Sequence, residues 1–338
     1  GHVQDAAVWS IVLVHLLPTS WLYSGDINQI ADTTIHVSEW QDFGARSIGW
    51  GNCKTMGILS IQSHVSYGHV GNAAAVFILQ RLGFDVWPVH TVLFSNHPGY
   101  GDFGGGRVDA CVVGYIVDGL DARGLFPTCQ AIIGGYLGAL ECGEIMLDAV
   151  RRVRAASKGA LFYLDPVMGD RESGVYVPEE IVAFYRDQSL TQADVIKANA
   201  YELEILSGEK ITDVASAIDA ARTLIRAHGT RVVVATSIPA ERGSLATALV
   251  RQDNAWVVTT PVLPADQKGT GDAFMALLVA NSLKTPGQSD MALGRSVSAI
   301  WSLMQKTCER GAPELLLVNE QTQIDAPGTV FEAVFHGL

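Results

Sequence analysis

The sharpest chemical signal in the chain is Gly269-Thr270-Gly271-Asp272, which opens an apolar run from Ala273 to Val279. Glycines let a backbone turn tightly and come close to a ligand. The first amides of a helix have no partner within it, and with the helix dipole they form an anion site. Asp272 stands at that same mouth, where a carboxylate can act as a general base on an attacking hydroxyl. The bland reading of the segment is a helix start with Thr270 or Asp272 as its cap. More acids lie where strands end: Asp165 and Asp170 around a glycine turn, then Asn199 and Glu202 after another strand. Asp170 and Glu202 could hold Mg²⁺ through water and share it with a nucleotide. Their bland readings are turn chemistry for Asp170 and a solvated helix-start carboxylate for Glu202. Three such ends meeting on one sheet edge favour a site, because open α/β sheets bind ligands at the carboxyl ends of their strands.

Other chemistries are poorly served. There is no Gly-x4-Gly-Lys-Ser/Thr sequence, so a P-loop is not expected. Gly104-Gly105-Gly106 is too generic to be a phosphate cradle. His64 and His69 share a loop without a His-Glu-x-x-His pattern, which argues against zinc. Gly114-Tyr115 and Gly135-Tyr136 are most simply packing elements, with Tyr136 the better ligand candidate of the two because it ends a strand.

The elements that must position these residues alternate. Strands are expected at 57–61, 85–93, 131–133, 160–164, 193–196 and 231–236, and helices at 73–82, 108–123, 144–156, 178–187, 214–228, 272–282 and 294–305. Segments 245–250 and 255–260 read as a hairpin. Asn72 is expected to cap the first helix and Gly83 to end it. Strand–helix–strand alternation implies a mostly parallel sheet crossed by helices.

The chain has 338 residues, 48% hydrophobic and 17% charged, a globular composition. With 23 basic and 35 acidic residues the net charge is 23 − 35 = −12. That argues against nucleic acid or an anionic membrane as partner. The five cysteines are widely spaced, with no Cys-x-x-Cys, so neither a disulfide framework nor a Cys-based zinc site is expected. Reduced cysteines in a cytoplasmic protein are the simplest reading. No clean apolar stretch is long enough to span a membrane. The first methionine is Met56, and residues 1–55 are set aside as an extension of unassigned role, a non-native leader or a mispredicted N-terminus. One α/β domain from 56 to 338 explains the order of elements better than two.

Four segments, taken in order, resemble pyridoxal kinases of the ribokinase-like superfamily. They are Ser60 to Val65 with Gly68 and Val70 to Asn72; Phe94 to Tyr100; Asp165 to Asp170 with Gly174 to Pro178; and Gly269 to Asp272. The resemblance implies a ribokinase-like three-layer α/β sandwich, a mostly parallel central sheet with helices on both faces. It implies ATP-dependent phosphorylation of the 5′-hydroxymethyl group of pyridoxal, and of pyridoxine and pyridoxamine, in vitamin B6 salvage. Ser63 would bond the pyridine ring, while Val70, Phe94, His97 and Tyr136 would line or stack on it. Asp272 would deprotonate the alcohol, and the amides of Gly269, Thr270 and Gly271 would steady the transferring group. Asp165, Asp170 and Glu202 would organise Mg²⁺ and the phosphates, with Asp170 and Glu202 as its ligands and Asn199 nearby. Thr236, Ser237 and Lys268 fall where the nucleotide is contacted, and Tyr176 lies in a flap. ATP, Mg²⁺, a monovalent cation such as K⁺ and a cytoplasmic homodimer complete the expectation.

The chain departs from that pattern twice. Pro98 stands where Thr is usual, and Lys197-Ala198-Asn199 where Thr-Pro-Asn is usual. Pro98 has neither hydroxyl nor N–H. Lys197 either adds positive charge near phosphate or flanks the strand. Lys268 precedes the anion hole, where an amine could meet phosphate or form a Schiff base with an aldehyde. Two alternatives stay open: a hydroxymethylpyrimidine kinase, and a silent vitamin-binding protein on the same scaffold.

Overall fold

The computed structural model describes residues 56–264 and 267–337. The expectation for 1–55 lies outside the described residues. In chain order the elements begin with β1 (Gly57–Val65), α1 (Asn72–Arg81), β2 (Asp85–Phe94), β3 (Gly105–Arg107), α2 (Ala110–Ala122), β4 (Cys129–Gly134) and α3 (Leu140–Ala156). Then come β5 (Leu161–Leu164), β6 (Gly169–Asp170), β7 (Gly174–Val175), α4 (Glu179–Phe184), β8 (Val195–Asn199), α5 (Ala200–Ser207) and α6 (Val214–His228). The order ends with β9 (Val232–Pro239), β10 (Ser244–Val250), β11 (Ala255–Pro261), α7 (Thr270–Lys284), α8 (Ser289–Glu309), α9 (Thr322–Asp325) and β12 (Val334–His336).

Ten strands form one sheet in the order β12-β11-β10-β9-β8-β5-β4-β1-β2-β3. The run from β9 through β8, β5, β4 and β1 to β2 is parallel. The edges turn antiparallel at β10, β11 and β12 on one side and at β3 on the other. Period-two alternation sends successive side chains to opposite faces. Ile132, Phe162, Leu164, Val233 and Ala235 pack under α3 and α6, while Ala131, Ile133, Tyr163, Val232 and Val234 pack under α1, α7 and α8. Both faces of the sheet are therefore covered, which makes the three layers expected of the fold.

The differences from the sequence reading have local causes. β1 runs four residues past Ile61, because its polar residues are bonded inside: Gln62 Nε2 donates to Ser60 Oγ at 2.9 Å. Asn72 is not the cap of α1. Its buried amide instead bonds Val89 O at 3.3 Å and His90 Nδ1 at 3.1 Å, tying α1 to β2, and Gly71 occupies the cap position. Gly83 does end α1 in a left-handed conformation, φ 90°. α3 begins at Leu140, ahead of Glu144, without any side-chain cap.

Candidate active site

The parallel strands deliver their carboxyl ends to one edge. There β1 ends beside the loop 66–71, β4 leads into Gly135-Tyr136, β5 leads into Asp165, and β8 ends at Asn199. Gly71 is the hinge of this edge. Its φ is 57°, and a side chain there would overlap both the carbonyl and the Oγ of Ser63. A hydrogen is all that fits, so Ser63 lies directly against Gly71 and is itself buried.

The backbone N–H of Gly71 acts on Asp272 in favour of its charged form. A second contact joins the same loops: a side chain on Gly269, φ 83°, would overlap the carbonyl oxygen of His69 and lie 3.2 Å from Val70 Cα. Ser63 and Val70 are thus held beside Asp272 through backbone contacts. Gly269 is the N-cap of α7 without a side-chain bond, and the first intrahelical bond runs from Ala273 N to Gly269 O at 2.9 Å. The amides of Thr270, Gly271 and Asp272 precede it and form the open helix mouth. Neither Thr270 nor Asp272 serves as a cap. Burial pushes the Asp272 carboxyl up to about 6, helped by the charge of Asp165 and opposed by the Gly71 N–H and Lys197.

A cluster of buried charge lies next to this mouth. Lys197 Nζ bonds Asp165 Oδ2 at 2.8 Å, and both side chains are almost fully buried. Asp165 Oδ1 is buried with no partner. Glu202 is no solvated carboxylate: it is buried, accepting from Met168 N at 3.1 Å and Asn199 N at 3.0 Å. Asn199 caps α5 by accepting from Glu202 N at 2.9 Å, and its Nδ2 donates to Gly169 O at 2.9 Å. Burial, and next the charge of Asp165, raises the Glu202 carboxyl above the usual range. Asp170 spends its carboxylate on a turn, accepting from Glu172 N at 3.0 Å and Ser173 N at 2.6 Å. Among the described residues no three His, Cys, Asp or Glu converge to cage a metal. The orphaned Asp165 oxygen and scattered carboxylates fit Mg²⁺, which keeps several waters and takes one or two carboxylates plus phosphate.

The other predicted residues surround these two groups. Tyr136 follows β4 next to the end of β1, its carbonyl accepting from Thr91 Oγ1 at 2.6 Å. Phe94 ends β2 opposite Val65 and packs edge-on to Phe103 at 4.8 Å between ring centroids. His97 caps the short turn Pro98–Tyr100, accepting from Gly99 N at 3.0 Å. Burial depresses its imidazole, as does the charge of Lys268, while Glu314 and Asp170 act in the opposite sense. Lys268 thus shares its surroundings with the loop that carries His97 and Gly99, its Cε 3.6 Å from the place of a Gly99 Cβ. Thr236 pairs with Asn199 across β8 and β9, and the exposed Ser237 has φ 55°, alone among described non-glycine residues in the left-handed region. Such strain is concentrated at functional sites. Tyr176 follows the β6–β7 hairpin and faces the acids. Tyr176 is half exposed, and partial burial and then the charges of Glu202, Asp165, Asp272 and Asp170 raise its pKa.

Two features escaped the sequence reading. Pairing between Lys197 and Asp165 spans 32 residues and leaves no local trace. Glu314, 245 residues from His69, accepts that residue's backbone N–H at 3.3 Å and so fastens the loop 66–71 from the C-terminal part of the chain.

Residues 131–314 match the family model described as phosphomethylpyrimidine kinase. Pyridoxal kinase PdxY of Deinococcus radiodurans is 43% identical over 284 residues, 82% of this chain and 95% of that protein. PdxY of Rubrobacter xylanophilus is 41% identical, again across 82% of this chain and 96% of that protein. The solved pyridoxal kinase of Leishmania donovani, in complex with ADP and pyridoxamine, superposes with a TM-score of 0.78 at 34% identity, covering 83% of this chain and 99% of that one. A parallel sheet covered on both faces, with a carboxylate at an open helix mouth on its carboxyl edge, defines a small-molecule kinase of the ribokinase-like superfamily. Within that class the chain belongs to the pyridoxal kinase family.

Proposed function

We propose that this chain transfers the γ-phosphoryl group of ATP to the 5′-hydroxymethyl oxygen of pyridoxal, and of pyridoxine and pyridoxamine. The observation that carries the site assignment is the pair of close backbone approaches, Gly269 against His69 and Val70 and Gly71 against Ser63. It joins the predicted ring contact to the predicted base. Ser63 bonds the pyridine ring, with Val70, Phe94, His97 and Tyr136 around it. Asp272 takes the alcohol proton as the oxygen attacks the γ-phosphorus; the new O–P bond forms as the bond to the β-phosphate bridge breaks, and ADP leaves. The amides of Gly269, Thr270 and Gly271 hold the equatorial oxygens, a role that positioning and electrostatics fulfil without covalent help. Asp170 and Glu202, with Asp165 beside them, would hold Mg²⁺. When bound, that ion would neutralise phosphate charge. Thr236, Ser237, Asn199 and Lys268 contact the nucleotide, and Tyr176 closes the flap against water.

Pairing into a homodimer is supported by a stripe on α2. Val112, Tyr115 and Ile116 are exposed by 46%, 75% and 40%, and Gly119 continues the stripe with open space where a side chain would stand. The net charge of −12 supports a small-molecule substrate rather than nucleic acid; among the described residues no helix is long and apolar enough to cross a membrane.

A panel of the three vitamers and hydroxymethylpyrimidine, with ATP and Mg²⁺, tests the reading. Phosphorus NMR is expected to place phosphate on the 5′-oxygen of the vitamers, and chelation of Mg²⁺ to stop turnover. Exclusive phosphorylation of the pyrimidine, which the description of the matching family model makes the second reading, or vitamer binding without ATP consumption, would overturn it.

A further inference from the structure

Lys197 occupies a place where a lysine is costly. An ammonium is strongly hydrated, and burying it needs charges and hydrogen bonds to replace the water. Lys197 is 5% exposed, and its Nζ meets Asp165 Oδ2 at 2.8 Å. The same nitrogen is pressed against the anion hole: a Cβ on Gly271 would lie 2.9 Å from it. The missing side chain of Gly271 is therefore what admits the ammonium behind the turn. The Asp165 carboxylate at 2.8 Å is the partner that a buried ammonium requires.

A counter-ion for Asp165 does not need this position. Buried pairs of that kind can be exchanged for apolar groups without loss of stability. Nor can a protonated, paired amine act as a nucleophile toward an aldehyde. What the position does offer is a full positive charge on the inner side of a turn whose amides offer only partial ones. A phosphoryl group in transit spreads negative charge over three oxygens, and fixed positive charge in a water-poor site stabilises it strongly.

We propose that the Lys197 ammonium is a built-in cation of the anion hole, acting on the γ-phosphoryl group across Gly271 during transfer. The proposal rests on the assignment of Asp272 and the 269–271 turn as the transfer site. It also gives the departure from Thr-Pro-Asn a purpose: this chain carries in its own strand a charge that a threonine would not supply.

The test compares the wild type with Lys197→Met, Asp165→Asn and the double variant Asp165→Asn/Lys197→Met. Single-turnover transfer from ATP to pyridoxal is followed, and the affinities for ADP, for pyridoxal and for ADP with aluminium fluoride and pyridoxal are measured by calorimetry. Lys197→Met is expected to slow transfer by about 100-fold, the scale seen when one oxyanion-stabilising group is lost. Affinity for the aluminium fluoride complex should fall in parallel, while ADP and pyridoxal affinities each stay within about threefold, since only transition-state binding is removed. If Lys197→Met strands the Asp165 charge and unfolds, the double variant carries the test, read against Asp165→Asn. A folded double variant that transfers phosphate within about threefold of Asp165→Asn overturns the proposal and leaves Lys197 a mere counter-ion. Asp272→Asn is the control: wild-type transfer there would show the site itself misassigned, a separate failure.

Discussion

At the scale of single residues, Asp272 makes the clearest demand. A general base must be deprotonated to work, and burial together with the charge of Asp165 pushes this carboxyl up to about 6. The active form is therefore present above that pH and is lost as pH falls through it. The kcat/KM for pyridoxal should be flat from neutrality down to about pH 6 and then drop about tenfold per pH unit, as expected for a single essential base in the free enzyme. Asp272→Asn should remove that limb and lower kcat by about 10³-fold with pyridoxal affinity largely kept. A pH profile with no acid limb between 5 and 7, or an Asn variant of near-normal kcat, would reject Asp272 as base. This residue was legible in the sequence because its signal is local: glycines, then an acid, then an apolar run. The partners that tune it were not. Gly71 reaches Asp272 from 201 positions away in the chain, read as 272 − 71, and Lys197 meets Asp165 only because β5 and β8 are neighbours in the sheet. No spacing rule within one segment records such a meeting.

Among the elements, the β6–β7 hairpin depends on the start of α5. Glu202 binds the amides of Met168 and Asn199, and Asn199 binds the carbonyl of Gly169, so one capping box fastens both the helix and the approach to the flap. Glu202→Gln keeps the shape but turns an amide NH2 toward a backbone N–H, donor facing donor inside the protein. The expected cost is about 1–3 kcal/mol, the price of an unsatisfied buried polar group. It should show as a lower Tm together with a raised KM for Mg·ATP, because the loop carrying Asp165 and Asp170 is loosened. An unchanged Tm would mean that the box does not hold the loop. Elements were readable to the extent that they carry their own punctuation. Helix α6 spans Val214–His228 as expected, residue for residue, because Asp213 caps it and Gly229 closes it with φ 71°. α3 starts at Leu140, ahead of expectation, because Ala139 provides no side-chain cap. Strands β6 and β7 hold two residues each, too short for any alternation to show. α5 was hidden because its capping residue is also the last residue of β8.

For the molecule as a whole, the parallel core and its two helical layers followed from the alternation of elements, whereas the antiparallel edges β3 and β12 did not. Each has three residues, all exposed, so no buried face marks them. The last question is what covers α2. Its inner residues Val113 and Val117 are buried, so the helix already has its place in the core. Yet Val112, Tyr115, Ile116 and Gly119 recur at the three- and four-residue spacing of a second, outward stripe. A glycine inside a helix costs about 0.5–1 kcal/mol relative to alanine. Open space beside Gly119 gives that cost a use only if another backbone comes close, and a two-fold axis would bring the same stripe of a second copy there. Sedimentation should therefore find the wild type dimeric and the double variant Ile116→Lys/Gly119→Gln monomeric. Every residue assigned above to the transfer site comes from one chain and lies outside α2, so the monomer should keep its kcat within about threefold, the spread expected of a change remote from the chemistry. A variant that still sediments as a dimer would place the interface elsewhere. A monomer that loses turnover would instead mean that pairing holds the β2–β3 edge, and with it Phe94 and His97, in working position.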